Sequence, residues 1–471
     1  MRGLLASSIG VTCAAALALP LTPLATAATP AAHPAPRPGV EVPAAGRPAT
    51  PAEAPGSTQS LPLAALGRSR ALGPAAEQGL PRRDVRHFSL VGVVWDDPDT
   101  VLHGTVQVRT RAAGTGAWSG WQGLETHNDD AADPGTAERT SGRVRGATAP
   151  LWVGDSDGVE VRVQAAQDLD RTTEEATRDD RTAISAPLPT GLRLELVDPG
   201  ERAPEREPAV AGAPRTTVVP RTVPDASAAN LDLAPLGATE IPALNRAQTL
   251  RELSALRADG TAQVAPRGKP YIGPRPRIVT RRGWGADERL REKKFVYSKK
   301  VKAVFVHHTA SGNGYRCAEA PSLIRGIYRY HVKSMGWRDI GYNFLVDKCG
   351  TIYEGRAGGV AKPVLGAHTL GFNTNSMGIA VLGSYDTTKP PAAATKAVAK
   401  LTAWKLGLFG ANPSGRTYLK SGGGNLYRKG KNVRLNVISG HRDGFATECP
   451  GRLLYRKLGA TRTSAARYQG R

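Results

Sequence analysis

Near the C-terminus, the run GHRDGFATECPG (440–451) brings His441, two acidic residues and Cys449 into one turn-rich stretch. An imidazole and a thiolate eight residues apart are ligands that zinc accepts. The competing reading makes Cys449 half of a disulfide. A further ligand stands at the end of the apolar run VKAVFVHHT, as His307 or His308. A zinc site that does chemistry needs three protein ligands and one open position. Strand ends suit such ligands, because the sheet fixes their positions and the loops above leave a cleft. The H-x7-C pair by itself says little; combined with a strand-terminal HHT it says more.

These residues need elements to hold them. From about Arg277 the chain alternates strand-like and helix-like runs. VKAVFVHHT reads as a buried strand, and APSLIRGIYRYHVKS carries Leu323, Ile327, Tyr330 and Ser334 at helical spacing. YNFLVDKCGTIYEG reads as a hairpin turning at Lys348–Gly350, and SMGIAVLGSY as another apolar strand. PPAAATKAVAKLTAWKLGL reads as a helix opened by proline, and VISGHRD as the end of the last strand. The fold class expected for 277–471 is therefore α/β, a mixed β-sheet flanked by helices.

Upstream, residues 86–198 hold short runs with period-two alternation, such as Val159, Val161 and Val163, separated by Gly- and Asp-rich turns. They predict a small all-β domain. Trp118, Trp121 and Trp152 suit carbohydrate stacking or, more simply, core and edge packing. Residues 28–85 and 199–276 are rich in Pro and Ala and read as disordered linkers. The second carries Leu250, Leu253 and Leu256 at helical spacing, a stripe suited to docking on a neighbouring domain.

Residues 1–27 have a basic start, an apolar Ala/Leu run and the small-x-small site Ala25-Thr26-Ala27, the layout of a secretory signal peptide. Pro20 and Pro23 interrupt the run before it could span a bilayer, so stable membrane insertion is not expected. Of four cysteines, Cys13 leaves with the leader, and Cys317, Cys349 and Cys449 remain. An odd number in an oxidising compartment leaves one thiol either outside any intrachain pair or bound to metal. The net charge of +22 calls for an anionic partner: nucleic acid, an acidic wall polymer or a membrane surface.

VFVHHTA, WRDIGYNFLVD, IYEGR, GAHTLGFNTNSMGIAVLGSY and GHRDGFATECPG occur in that order. Together, from roughly Arg277 to Leu458, they resemble the peptidoglycan recognition proteins and the type-2 N-acetylmuramoyl-L-alanine amidases. The resemblance implies a Zn2+ cofactor held by His307, His441 and Cys449, with Tyr342 as a catalytic residue and Thr447 beside the metal. Arg356, His368 and Asn373 become candidates for substrate contacts. Cys317 and Cys349 are then expected to pair with each other, leaving Cys449 for the metal. One departure stands out: EGRAGGVAKP has no Trp after EGR, where animal members commonly carry one.

The implied activity is hydrolysis of the amide between the lactyl group of N-acetylmuramic acid and L-alanine, by a secreted, cell-wall-associated monomer. Its partners would be peptidoglycan and anionic wall polymers. A binding-only recognition module is the alternative, and retention of Cys449 argues against it. Nucleic acid is not expected, because the basic runs lack interleaved aromatics or a recognised binding motif. His308 is expected to face away from His307, His331 to be a satisfied core histidine, and Glu354 to be either a support for the site or a structural member of the hairpin.

Overall fold

Val159, Val161 and Val163 are all buried and pack with Val106 and Val108, while Glu160 and Arg162 between them are partly exposed. That alternation belongs to an antiparallel sheet with one face on a core. Its strands are β1 (Ser57–Pro62), β2 (Glu77–Trp95), β3 (Gly104–Ala112), β4 (Gln122–Leu124), β5 (Leu151–Ala165) and β6 (Arg193–Asp198), ordered β1-β6-β2-β5-β3-β4. Short strands Ala64–Ala65 and Gly146–Ala147 add to β2. The computed structural model describes residues 55–66, 77–126, 130–168, 184–185, 187–201, 226–258, 260 and 270–471, all within one unit, Glu53–Arg471. The expected leader at 1–27 lies outside the described residues.

The β-domain starts earlier than the boundary at 86. Strand β1 and the first part of β2 come from the stretch read as linker, and β1 pairs with β6, Ser57 opposite Asp198. Such pairing between distant segments leaves no local periodicity to read. Trp118 and Trp121 carry arginines on their rings: Arg82 over Trp118, Arg109 and Arg162 over Trp121.

The second sheet comprises β7 (Glu240–Ile241), β8 (Ile278–Val279), β9 (Ala303–His308), β10 (Phe344–Val346), β11 (Ile352–Glu354), β12 (Ser376–Val381) and β13 (Ile438–Gly440). Their order is β7-β8-β11-β10-β12-β9-β13. The centre is parallel, with β9 between β12 and β13, whereas β10 and β11 form an antiparallel hairpin. Every residue of β9 and β12 is buried, as parallel strands covered on both faces must be. This is the expected mixed sheet.

Helices α1 (Arg246–Ala258), α3 (Ala392–Leu408) and α4 (Leu458–Gln469) share one core with Val304, Val306, Phe344 and Ile379. Leu253 and Leu256 of α1 are in that core, so the stripe docks on the sheet domain. Residues read as the second linker thus supply both a strand and a helix of this domain. Helix α2 (Ala320–Arg329) covers the opposite face, packing with Leu345 and Ala380 of the sheet and with Leu90, Val94 and Val197 of the β-domain. It continues into a π-turn, Tyr330–Ser334. There Tyr330 donates to Thr148 O at 3.1 Å, and Ser334 donates to Glu195 Oε2 at 2.8 Å. A disulfide joins Cys317, ahead of α2, to Cys349 in the hairpin turn, as expected.

Candidate metal centre

Strand register puts two histidines at one level. Val306 of β9 lies opposite Gly440 of β13 in a parallel pair, so His307 and His441 emerge side by side at the C-terminal ends. Their ring centroids are 4.5 Å apart. His441 opens a tight turn, His441–Asp443, closed by Gly440 N donating to Asp443 Oδ2 at 2.9 Å. The chain then loops back: Arg442 N donates to Cys449 O at 3.1 Å, and Cys449 Sγ stands 3.7 Å from His307 Nδ1. One ligand atom from each of His307, His441 and Cys449 lies within 4.8 Å of the others.

All three side chains are buried. Desolvation pushes both His307 and His441 down to about 3, so each ring is neutral with a lone pair to offer. Neither ring nitrogen of His441 has a hydrogen bond among the described residues. A wholly buried imidazole without a hydrogen bond costs stability unless something else satisfies it. Two neutral imidazoles and a sulfur converging on one point are a donor set that would fit a zinc ion.

His307 is held from behind. Thr369 Oγ1 lies 3.4 Å from His307 Nε2, and the same hydroxyl is 3.0 Å from His368 Nδ1. Backbone N–H groups of His368 and Thr369 donate to Asn373 Oδ1 at 2.7 and 3.1 Å. His368 and Asn373, candidates for substrate contact, thus lie buried beneath the ligands as braces. Thr369 escaped the sequence reading, although it stands in the same GAHT run. His308 points the other way: its Nδ1 accepts from Tyr385 N at 3.3 Å.

Tyr342 packs beside His307, with centroids 5.5 Å apart, and its hydroxyl donates to the carboxylate of Asp130. Burial, with Asp130 adding to it, holds the phenol well above its ordinary range. His331 is a core histidine: its Nδ1 accepts from Gly341 N at 3.1 Å and its ring lies 4.5 Å from that of Trp337. Thr447 Oγ1 accepts from Cys449 N at 3.3 Å, which fixes the cysteine loop. Glu354 is away from the centre; it accepts from Asn230 Nδ2 and Arg281 N, at 2.9 and 3.1 Å, and burial raises it to about 7.

The β-domain contributes what sequence reasoning missed. Asp130 Oδ1 lies 3.0 Å from His307 Nδ1 and 3.5 Å from His441 Nδ1. Burial raises this carboxyl to about 6. Arg356 is paired through both terminal nitrogens with Glu138, at 2.8 Å each. Nothing local marks these acids, because their partners are more than 170 residues away in sequence.

Residues 297–452 match the family described as N-acetylmuramoyl-L-alanine amidase, and residues 43–186 match one described as Rv3811 N-terminal galactose-binding domain-like. Peptidoglycan-recognition protein SC2 of Drosophila simulans is 33% identical over 181 residues, covering 38% of this chain and 84% of that protein. Peptidoglycan recognition protein 1 of Bos indicus is 34% identical over 185 residues, covering 38% and 80%. A solved structure of peptidoglycan recognition protein-LE in complex with tracheal cytotoxin, a monomeric diaminopimelic acid-type peptidoglycan, is 31% identical, with a TM-score of 0.31, covering 39% of this chain and 92% of that one.

Proposed function

The chain belongs to the peptidoglycan recognition and type-2 N-acetylmuramoyl-L-alanine amidase family, and from that premise we propose that it is an exported, zinc-dependent amidase acting on peptidoglycan. The scissile bond is the amide between the lactyl group of N-acetylmuramic acid and L-alanine. The observation that carries the reading is the convergence of His307, His441 and Cys449 within 4.8 Å, with the Tyr342 phenol alongside.

Zinc held there would supply a Lewis acid for the carbonyl and lower the pKa of water. The chain's own part is positional. Thr369 orients the His307 ring, and Thr447 fixes the loop that carries Cys449. Tyr342 offers a neutral O–H, since its phenol titrates far above physiological pH, and such a donor suits a developing oxyanion. Arg356 presents a fork that fits a stem-peptide carboxylate. The charge of +22 holds the enzyme on carboxylate- and phosphate-bearing wall polymers through a salt-sensitive field.

Several relatives are named as recognition proteins, so binding without hydrolysis is the second reading. Digestion of purified wall by the zinc-loaded protein separates the two. Mass spectrometry of released material should show stem peptides beginning with a free L-alanine amine. Wall binding with no new amino termini would favour recognition.

A further inference from the structure

Residues 130–138, Asp-Ala-Ala-Asp-Pro-Gly-Thr-Ala-Glu, follow β4 in the β-domain and reach the metal centre and the residues around it. They meet it at three places. Asp130 faces His307 and His441 through Oδ1 and accepts the Tyr342 hydroxyl through its other oxygen. Asp133 Oδ1 accepts from Gly371 N, Asn373 N and Asn373 Nδ2 at 2.9, 3.1 and 2.7 Å. Glu138 takes the fork of Arg356. All three acids are buried, at 5%, 7% and 7% exposure.

Two of these places use groups that the proposed hydrolysis needs. Two ligand atoms about 2.1 Å from one zinc at a tetrahedral angle lie about 3.4 Å apart. Asp130 Oδ1 stands at about that spacing from both histidine nitrogens, and it has no hydrogen bond of its own among the described residues. It therefore crowds the ligand atoms of both histidines, on the side that a hydrolytic site must leave open to water or substrate. The Tyr342 O–H and the Arg356 guanidinium are likewise taken, by carboxylates of the same chain. Asp133 accounts for the rest: it anchors the segment to the Gly371–Asn373 loop that also braces His307.

Resting on the amidase reading, we propose that residues 130–138 are an intramolecular plug. Its carboxylates stand in for those of the stem peptide, and the folded enzyme works at a reduced rate until the segment withdraws. Asp130 crowds the two histidine ligands and holds the Tyr342 hydroxyl, and Glu138 blocks the substrate clamp.

The test uses the full chain, with wild type, Asp130→Ala/Glu138→Ala and Asp130→Asn compared side by side. Thermal melts and zinc content establish folding and loading. Binding of a soluble muramyl tripeptide is read by calorimetry, and its cleavage by release of the L-alanine amine. Metal geometry is read from the d–d spectrum of the cobalt-substituted proteins. The expected result is at least tenfold tighter muropeptide binding and at least tenfold faster cleavage in the double variant, with a changed cobalt spectrum in Asp130→Asn. Folded, zinc-loaded variants that bind no more tightly than wild type would overturn the plug. Tighter binding with no cleavage would uphold the plug and sink the amidase reading instead. If the double variant fails to melt cooperatively, Asp130→Asn keeps the Glu138–Arg356 pair and decides the matter: an unchanged cobalt spectrum together with unchanged muropeptide binding would remove the plug.

Discussion

Thr369 Oγ1 and Cys449 Sγ stand on opposite sides of the His307 ring, 3.4 Å from Nε2 and 3.7 Å from Nδ1. With Nε2 protonated and donating to the threonine, the Nδ1 lone pair would face the sulfur, the tautomer that a metal needs. Thr369→Val keeps the shape and removes that oxygen. Zinc affinity, measured by competition with a chelator, should fall about 10- to 100-fold, the usual effect of losing a ligand's support. Unchanged affinity would mean that packing by itself orients the ring.

Ligand and catalyst are separable by substitution. Cys449→Ala should lose both zinc and activity, because two histidines are too few for tight binding. Tyr342→Phe should keep its zinc while losing about 2.7–4 kcal/mol of transition-state stabilisation, the range for one oxyanion donor. Zinc content and muropeptide turnover, assayed together, check both. A fully active, zinc-loaded Tyr342→Phe protein would take the tyrosine out of the mechanism.

The disulfide should matter for stability and not for metal. Cys317 and Cys349 are 32 residues apart, so their link should contribute about 3–4 kcal/mol by restricting the unfolded chain. The paired change to serine should lower the denaturant midpoint accordingly and leave zinc stoichiometry intact. Loss of metal in that variant would show that the hairpin turn and the ligand loop are coupled.

Burial, with Arg356 adding to it, holds His331 down to about 3, against 6.5 for an ordinary histidine. Between those values the unfolded chain takes up a proton that the folded one refuses, so the stabilisation is complete above 6.5 and is lost as pH falls. A His331→Phe variant lacks this dependence. Its stability deficit relative to wild type should shrink by about 2 kcal/mol from pH 7 to pH 5, since 1.36 kcal/mol accompanies each pH unit. Urea unfolding at the two pH values measures it; a constant gap would mean that His331 is protonated in the fold.

The elements around the centre were legible where local pattern is strong. The fully buried β9, the hairpin turning at Gly350 and the proline-opened α3 each carry their own signal in sequence. Register was not legible, yet the pairing of Val306 with Gly440 is what brings His307 and His441 level. The boundary at 277 misled for a similar reason. Asn230, Ile241, Leu253 and Leu256 complete the domain through contacts across long separations: Asn230 holds Glu354, and the other three lie in the sheet's core. A truncation beginning at 277 would remove all four. Asp130 and Glu138 were invisible because an acid in a Gly- and Ala-rich loop looks solvated until its distant partners are known.

The π-turn Tyr330–Ser334 bears on inheritance. Its Tyr330 and Ser334 hold the β-domain through Thr148 and Glu195, while His331, between them, fixes the backbone next to Tyr342. Recombination that exchanged the β-domain for another all-β domain would have to supply an acceptor carbonyl and a carboxylate at matching places. Otherwise two buried hydroxyls would be stranded one residue and three residues from the histidine that steadies the tyrosine. The two domains are therefore expected to pass through lineages as one cassette, with changes at 195 tracking those at 334.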